Sequence, residues 1–300
     1  MTEQSRVLIL GYGEMGHAMQ YLLNRQQHLD IWTRRPINDL PKIALKDIAP
    51  NADFVLFCLP TNAHRKVAEL LAPQLKKTCI CLSMAKGLDE SGQTAAQIFS
   101  DIFGSKLNYA LLYGPMIAEE MCIGRYGFAQ LGCNNTETYK HTKQLFHDTN
   151  LYIEKTTDIT GISWAVILKN VYAILFGITD ELQMGDNVRG YLAYAALREL
   201  SLIVSNIGGQ MSSIYSLAGL ADLITTVTSE DSHHHELGRL LARGETLGID
   251  GEGVHTIKMV EKYQLFTSEK YPLFQLITNI IQQPNNLGQQ IDAYLVSVNK

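Results

Sequence analysis

The sequence predicts an α/β fold, with an N-terminal doubly wound sheet followed by an all-α C-terminal domain. Three observations carry this expectation. Short, continuous apolar runs alternate with stretches of helical period up to about residue 157. One of the first strand-to-helix junctions is a glycine-rich turn, and no strand pattern follows residue 157. Strand and helix in repeated alternation build a largely parallel sheet with helices on both faces.

Candidate strands cover residues 6–10, 28–33, 53–59, 78–83, 109–113, 128–132 and 151–154. Runs such as VLIL (7–10), FVLFCL (54–59) and CICL (79–82) show no polar alternation. Strands covered on both faces read this way. Helical period lies between them, as over 15–25 and 63–75. In the second half, residues 162–182, 188–207, 223–228, 234–243, 253–263 and 272–282 read as helices. Gly208-Gly209, Gly219, Gly244 and the glycines of 248–253 punctuate them. The expected domains are therefore 1–157 and 158–300.

Composition narrows the functional classes. A chain of 300 residues with 46% apolar and 18% charged residues is globular and long enough for two cores. A net charge of −5 argues against a nucleic-acid partner, which needs a basic face. The five cysteines form no CxxC pair, and three sit in strand-like runs. Buried free thiols, no bound metal and a reducing compartment are expected. The N-terminus carries no basic, apolar leader, and no segment approaches the ~20 apolar residues of a membrane span. A cytoplasmic protein without membrane insertion is expected. Apolar helical surface in the second half is compatible with a homodimer.

The first strand runs directly into Gly11-Tyr12-Gly13-Glu14-Met15-Gly16, which opens a helix. In that context GxGxxG marks a dinucleotide site of the Rossmann type. Gly11 makes the tight turn, Gly13 admits the pyrophosphate, and Gly16 lets helix and strand pack closely. Glu14 and Met15 complete the turn. An acidic residue at the end of the second strand would select NAD, and an arginine would accommodate the 2′-phosphate of NADP. Asp30 lies too early, whereas Arg34 and Arg35 lie at the end. NADP is favoured, with NAD as the alternative.

Ligands bind beyond the carboxyl ends of parallel strands. Pro60 ends the third strand, and Lys86, flanked by Gly87, follows the fourth. Both are placed beside the cofactor or substrate. In the second half, Lys169 lies inside the apolar helix 162–182. An ammonium there needs a polar cleft, and burial would lower its pKa towards that of a working general acid/base. The alternative is a lysine that snorkels to the surface.

Taken together, several segments resemble the NAD(P)-dependent glycerol-3-phosphate dehydrogenases nearly end to end. They are 11–16, 52–60, Ala85-Lys86-Gly87-Leu88, Gly114-Pro115, Ala118-Glu119, Leu168-Lys169-Asn170-Val171, Gly185-Asp186-Asn187, 217–226 and Glu252-Gly253-Val254. The resemblance implies interconversion of sn-glycerol 3-phosphate and dihydroxyacetone phosphate, feeding phospholipid synthesis. It implies that Lys169 is the proton acceptor, that Lys86 and Asp222 contact the substrate, and that Gly114 lines its pocket. Ala118 and Glu252 would help to hold the cofactor.

The chain departs from the family pattern where the substrate's phosphate is expected. Ser232-His233-His234 stands in place of Ser-Arg-Asn, and Met116 in place of the serine of Gly-Pro-Ser. Ala165-Val166-Ile167 replaces small residues before Lys169, and Ala221 replaces a glycine before Asp222. Ser232 reads as an N-cap, so a helix N-terminus assisted by histidine could still receive a phosphate. Otherwise the substrate is another small keto or hydroxy acid, as in ketopantoate reductases and β-hydroxyacid dehydrogenases, or the protein binds a nucleotide without catalysis. Consecutive histidines on a helix diverge, which makes His233, His234 and His235 poor metal chelators.

Overall fold

The computed structural model describes residues 4–37, 43–229, 232–246 and 248–298. They divide into two compact units, Met1–Asp89 with Gln93–Ile159, and Glu90–Gly92 with Thr160–Lys300.

The first unit is a seven-stranded sheet in the order β2-β1-β3-β4-β5-β6-β7. The strands are β1 (Arg6–Leu10), β2 (His28–Trp32), β3 (Phe54–Phe57), β4 (Ile80–Ser83), β5 (Asn108–Tyr113), β6 (Gly127–Gly132) and β7 (Leu151–Thr156). All neighbours are parallel except β5 and β6. Between the strands lie α1 (Glu14–Leu23), α2 (Leu45–Ile48), α3 (Thr61–Leu71), α4 (Ala95–Phe103), α5 (Ala118–Cys122) and α6 (Thr136–Leu145).

The continuous apolar runs have the physical cause expected of them. Val7 and Ile9 of β1 enter one core layer, under α1 residues Ala18, Met19, Leu22 and Leu23. Leu8 and Leu10 enter the other, under Val67, Ala68 and Leu71 of α3 and Phe99 and Phe103 of α4. A strand sandwiched in this way has no wet face on which to alternate. The sheet reverses direction after β5. Gly114 adopts φ +154° there, and a Cβ on it would lie 2.3 Å from the Phe128 carbonyl oxygen. Only glycine lets the chain fold back against β6 at that distance.

The second unit is helical. Its elements are α7 (Ile159–Glu181), α8 (Asp186–Asn206), a 3-10 turn (Met211–Tyr215), a π turn (Leu217–Ala221), α9 (Asp222–Thr228), α10 (His233–Ala242), α11 (Glu252–Tyr263), a second 3-10 turn (Ser268–Lys270), α12 (Pro272–Gln282) and α13 (Leu287–Ser297). Every residue of α7 from Gly161 to Thr179 is buried. This corrects the expectation that no segment approaches the length of a membrane span. With 23 residues and a mean hydropathy of 1.6 over its best window, α7 is long and apolar enough, and it serves as the core helix. A helix apolar on all sides must be covered on all sides.

Close helix crossings provide that cover. A Cβ on Gly177 of α7 would lie 1.9 Å from the His235 carbonyl oxygen, and one on Gly238 of α10 would lie 2.0 Å from that of Ile174. The two backbones therefore touch. Glu199 of α8 accepts bonds from the Leu273 and Phe274 N–H groups at 2.6 and 2.9 Å, and from the Tyr172 hydroxyl at 3.0 Å. It caps α12 from inside the core, and burial pushes its carboxyl group up from the ordinary range. Asp180 of α7 binds Arg189 at 2.9 Å and His235 at 2.8 Å, tying α8 and α10 to the same point.

The Gly177–Gly238 crossing gives a stability prediction. Gly238→Ala should cost about 3 kcal/mol, at the upper end of core overpacking. Thermal denaturation should show a fall in Tm of roughly 5–10 °C. An unchanged Tm would contradict backbone contact at this crossing.

Candidate active site

At the carboxyl edge of the sheet, β1 has β2 on one side and β3 on the other, which makes it the point where strand order reverses. The turn from β1 to α1 is pinned from both neighbours. The Gly11 N–H donates to the Trp32 carbonyl at 2.9 Å, and the Cys58 N–H donates to that of Leu10 at 2.9 Å. Gly11 has φ +90°, and a Cβ on it would lie 2.5 Å from the Cys58 carbonyl oxygen. One on Gly16 would lie 2.3 Å from the Gly11 carbonyl oxygen. Gly13 differs, since a Cβ there would meet nothing within 4 Å. The N-terminus of α1 has no side-chain cap. Open space over uncapped helical N–H groups fits a pyrophosphate. Glu14 and Met15 open the helix.

Asp30 pairs with Leu8 in mid-strand. Arg34 and Arg35 follow the end of β2 and are exposed. Pro60 is exposed at the start of α3. Beyond β4, Lys86 donates to the Gly114 carbonyl at 2.9 Å, which joins two of the expected site residues. Met116 and Ala118 are buried in the core layer beneath α1.

A residue that the sequence reading passed over lies between these loops. His64 of α3 is fully buried, with ring nitrogens 3.1 Å from the Pro60 carbonyl and 2.8 Å from the Ser83 hydroxyl. Burial holds its pKa down at about 4. Its i, i+4 spacing from Pro60 was the available signal.

In the second unit, Lys169 and Asp222 are 5% and 2% exposed, and their Nζ and Oδ1 atoms lie 3.2 Å apart. Lys169 also donates to the hydroxyl of Thr226. That hydroxyl donates in turn to the Asp222 carbonyl at 2.7 Å. Two ammonium protons are thus directed by groups on one face of α9, four residues apart. A π turn immediately precedes Asp222. Thr226 was missed by sequence reasoning, although the i, i+4 relation to Asp222 was legible. Next to Lys169, Asn170 donates to Glu252 at 3.3 Å.

Ser232 is the N-cap of α10, accepting from the His235 N–H at 3.3 Å. The three histidines that follow diverge: His233 is exposed, His234 half-buried and His235 buried against Asp180. Among the described residues no group of three His, Cys, Asp or Glu side chains is arranged to hold a metal. The described cysteines are all free, and burial pushes the Cys58 thiol up to about 12.

The profile described as NAD-dependent glycerol-3-phosphate dehydrogenase N-terminus matches residues 40–139, and that described as the C-terminus of the same enzyme matches residues 158–292. The chain belongs to the NAD-dependent glycerol-3-phosphate dehydrogenase family. A glycerol-3-phosphate dehydrogenase [NAD(P)+] from Fusobacterium nucleatum is 27% identical, over 97% of this chain and 96% of its own length. The crystal structure of a glycerol-3-phosphate dehydrogenase from Coxiella burnetii superposes with a TM-score of 0.83 at 23% identity, covering 97% of this chain and 99% of that one. At that identity the likeness establishes a shared fold. A ketopantoate reductase from Ralstonia eutropha superposes less well, with a TM-score of 0.57 at 13% identity over 95% of this chain and 99% of that one. The matched residues begin at residue 40, beyond the β1–α1 glycine turn.

The low pKa of His64 fixes a pH dependence. The unfolded chain would protonate this ring near ~6.5, whereas the fold keeps it neutral down to about 4. Its contribution is complete above the unfolded value and is lost as pH falls towards the folded one. Between pH 7 and pH 5 the stability difference between wild type and His64→Phe should shrink by about 2 kcal/mol. Urea denaturation of both proteins at the two pH values measures it; a constant difference would exclude a neutral buried ring.

Proposed function

We propose that this protein interconverts sn-glycerol 3-phosphate and dihydroxyacetone phosphate, using NADP or NAD. The observation that carries this reading is the buried cluster of Lys169, on the apolar core helix α7, with Asp222 and Thr226 of α9, in a member of this family. Residues 1–157 form the dinucleotide-binding domain, and residues 158–300 form the substrate and catalytic domain. The nicotinamide, when bound, exchanges the hydride with the substrate's C2 carbon.

In the reducing direction, the Lys169 ammonium gives a proton to the ketone oxygen as it becomes a hydroxyl. In the oxidising direction, its neutral amine takes the hydroxyl proton. Asp222 and Thr226 hold Nζ at one place in both directions, so no reorientation accompanies the transfer. Lys86, Gly114 and Met116 line the substrate. The N-terminus of α10, with Ser232, His233 and His234, receives the phosphate through N–H groups and imidazole. Gly11, Gly13, Glu14, Met15, Gly16, Pro60, Lys86, Ala118 and Glu252 hold the cofactor. Arg34 and Arg35 give NADP an advantage over NAD through its 2′-phosphate.

Three measurements test this reading. NADPH oxidation should depend on dihydroxyacetone phosphate, and absence of turnover with either nucleotide would reject the substrate. Lys169→Ala should lower kcat by about 10²–10⁴-fold, the range for a lost general acid/base, while a fluorescence titration finds NADPH affinity unchanged. Intact turnover in that variant would remove Lys169 from its role. Finally, replacing both Arg34 and Arg35 by Ala should weaken NADPH binding about tenfold or more and leave NADH binding nearly unaltered; equal losses for both nucleotides would contradict recognition of the 2′-phosphate.

A further inference from the structure

The loop after β3 and the loop after β4 are joined by one side chain. His64 sits on the buried face of α3, packed against both Phe57 and Phe99 at ring distances of 5.1 and 5.6 Å. A carbonyl can only accept, so the nitrogen facing Pro60 must carry the proton. The tautomer is therefore Nδ1–H, donating to the Pro60 carbonyl at 3.1 Å. Nε2 is left as an acceptor, and the Ser83 hydroxyl donates to it at 2.8 Å. The same Ser83 oxygen accepts the Ala85 N–H at 3.2 Å. One residue later, Lys86 reaches the Gly114 carbonyl at 2.9 Å. A directed chain of bonds thus runs from Pro60 through His64 and Ser83 to the backbone that carries Lys86.

We infer that His64 is a positioning residue, which locks the loop carrying Lys86 to the Pro60 loop through Ser83 and so sets where the Lys86 ammonium stands. The inference rests on the role proposed above for Lys86. Packing alone would be met by any aromatic or aliphatic side chain against Phe57 and Phe99. An imidazole of fixed tautomer donates to one loop and accepts from the other, which no apolar side chain does. Its depressed basicity keeps that donor–acceptor order constant across the physiological pH range.

The test separates the two arms of the ring. His64→Phe keeps the packing and removes both bonds, and Ser83→Ala removes the shared hydroxyl. His64→Gln keeps an acceptor for Ser83, and His64→Asn keeps a donor for Pro60. His64→Phe and Ser83→Ala should each raise the KM for dihydroxyacetone phosphate about tenfold. The double variant should be no worse than either single one. His64→Gln should restore the KM and His64→Asn should not. Multiplicative effects, or equal effects of Gln and Asn, would overturn the inference in favour of a purely structural role.

Two readouts do not depend on the substrate. The nitrogen-15 shifts of the His64 ring in the wild-type protein should report the Nδ1–H tautomer, and the Nε2–H tautomer would refute the chain of bonds. Amide shifts of Ala85, Lys86 and Gly87 should move in His64→Phe and in His64→Asn but stay in His64→Gln. Loss of wild-type turnover on dihydroxyacetone phosphate would reject the proposed substrate, whereas unmoved amides at Ala85–Gly87 would reject the positioning role.

Discussion

A lysine ammonium in the middle of an apolar core helix sets the terms for the whole helical unit. An unpaired charge in such surroundings costs several kcal/mol or more, so the fold must bring a counter-charge and hydrogen-bond acceptors to it. On α7 the neighbours Val166, Ile167, Leu168 and Val171 carry no charge to pair with Lys169. A counter-charge comes from α9, where Asp222 and Thr226 contact Lys169 just after a π turn. An irregular turn of this kind is rare in helices and tends to mark functional positions. Replacing the cluster by apolar residues would make an easier core. Its presence in a member of a dehydrogenase family therefore points to chemistry rather than to stability.

The first unit solves a different problem, which is how to hold loops without regular structure in fixed places. Backbone contact does this at β1, where Gly11 and Gly16 leave no room for a side chain and Gly13 leaves open space. The three glycines of one motif thus have two physical jobs, close packing at the ends and access in the centre. At β3 and β4 the same task falls to a side chain, which reaches the Pro60 carbonyl that opens α3 and the Ser83 hydroxyl that ends β4. His64 provides the donor from four residues along the helix, and Ser83 completes the link.

Much of this was legible in the sequence. Continuous apolar strands announced a sheet covered on both faces, and the loss of strand pattern near residue 157 announced the helical region. The glycine turn, the end-of-strand lysine and the lysine in the apolar helix were readable because each breaks its local pattern. The antiparallel step at β6 was not readable, since it depends on the contact of Gly114 with Phe128, residues whose meeting no local period encodes. Thr226 and His64 were passed over because a threonine in a helix and a histidine on its buried face look ordinary until their partners are known. The helix α7 was misjudged against the membrane criterion because Lys169 and Asn170 interrupt it only thinly. Their polar atoms matter to the site far more than to the average hydropathy.

On the proposed reading, the phosphate end shows how a departure from family pattern can be absorbed. On the resemblance His233 stands where the family carries an arginine, and Arg189 is bound to Asp180 and to the Val227 carbonyl. The same Asp180 holds His235 in the first turn of α10, and Ser232 caps that turn. What receives the phosphate, on that reading, is a helix N-terminus rather than a fixed charge. A helix terminus offers partial positive charge that needs no proton and no rotamer, and it suits any small anion of the right size. A guanidinium offers a bidentate fork with stricter geometry. On the proposed reading, discrimination for the phosphate ester falls more on shape and on Lys86 than on an arginine clamp, which makes the placement of the Lys86 loop, and hence the His64 link, the more consequential.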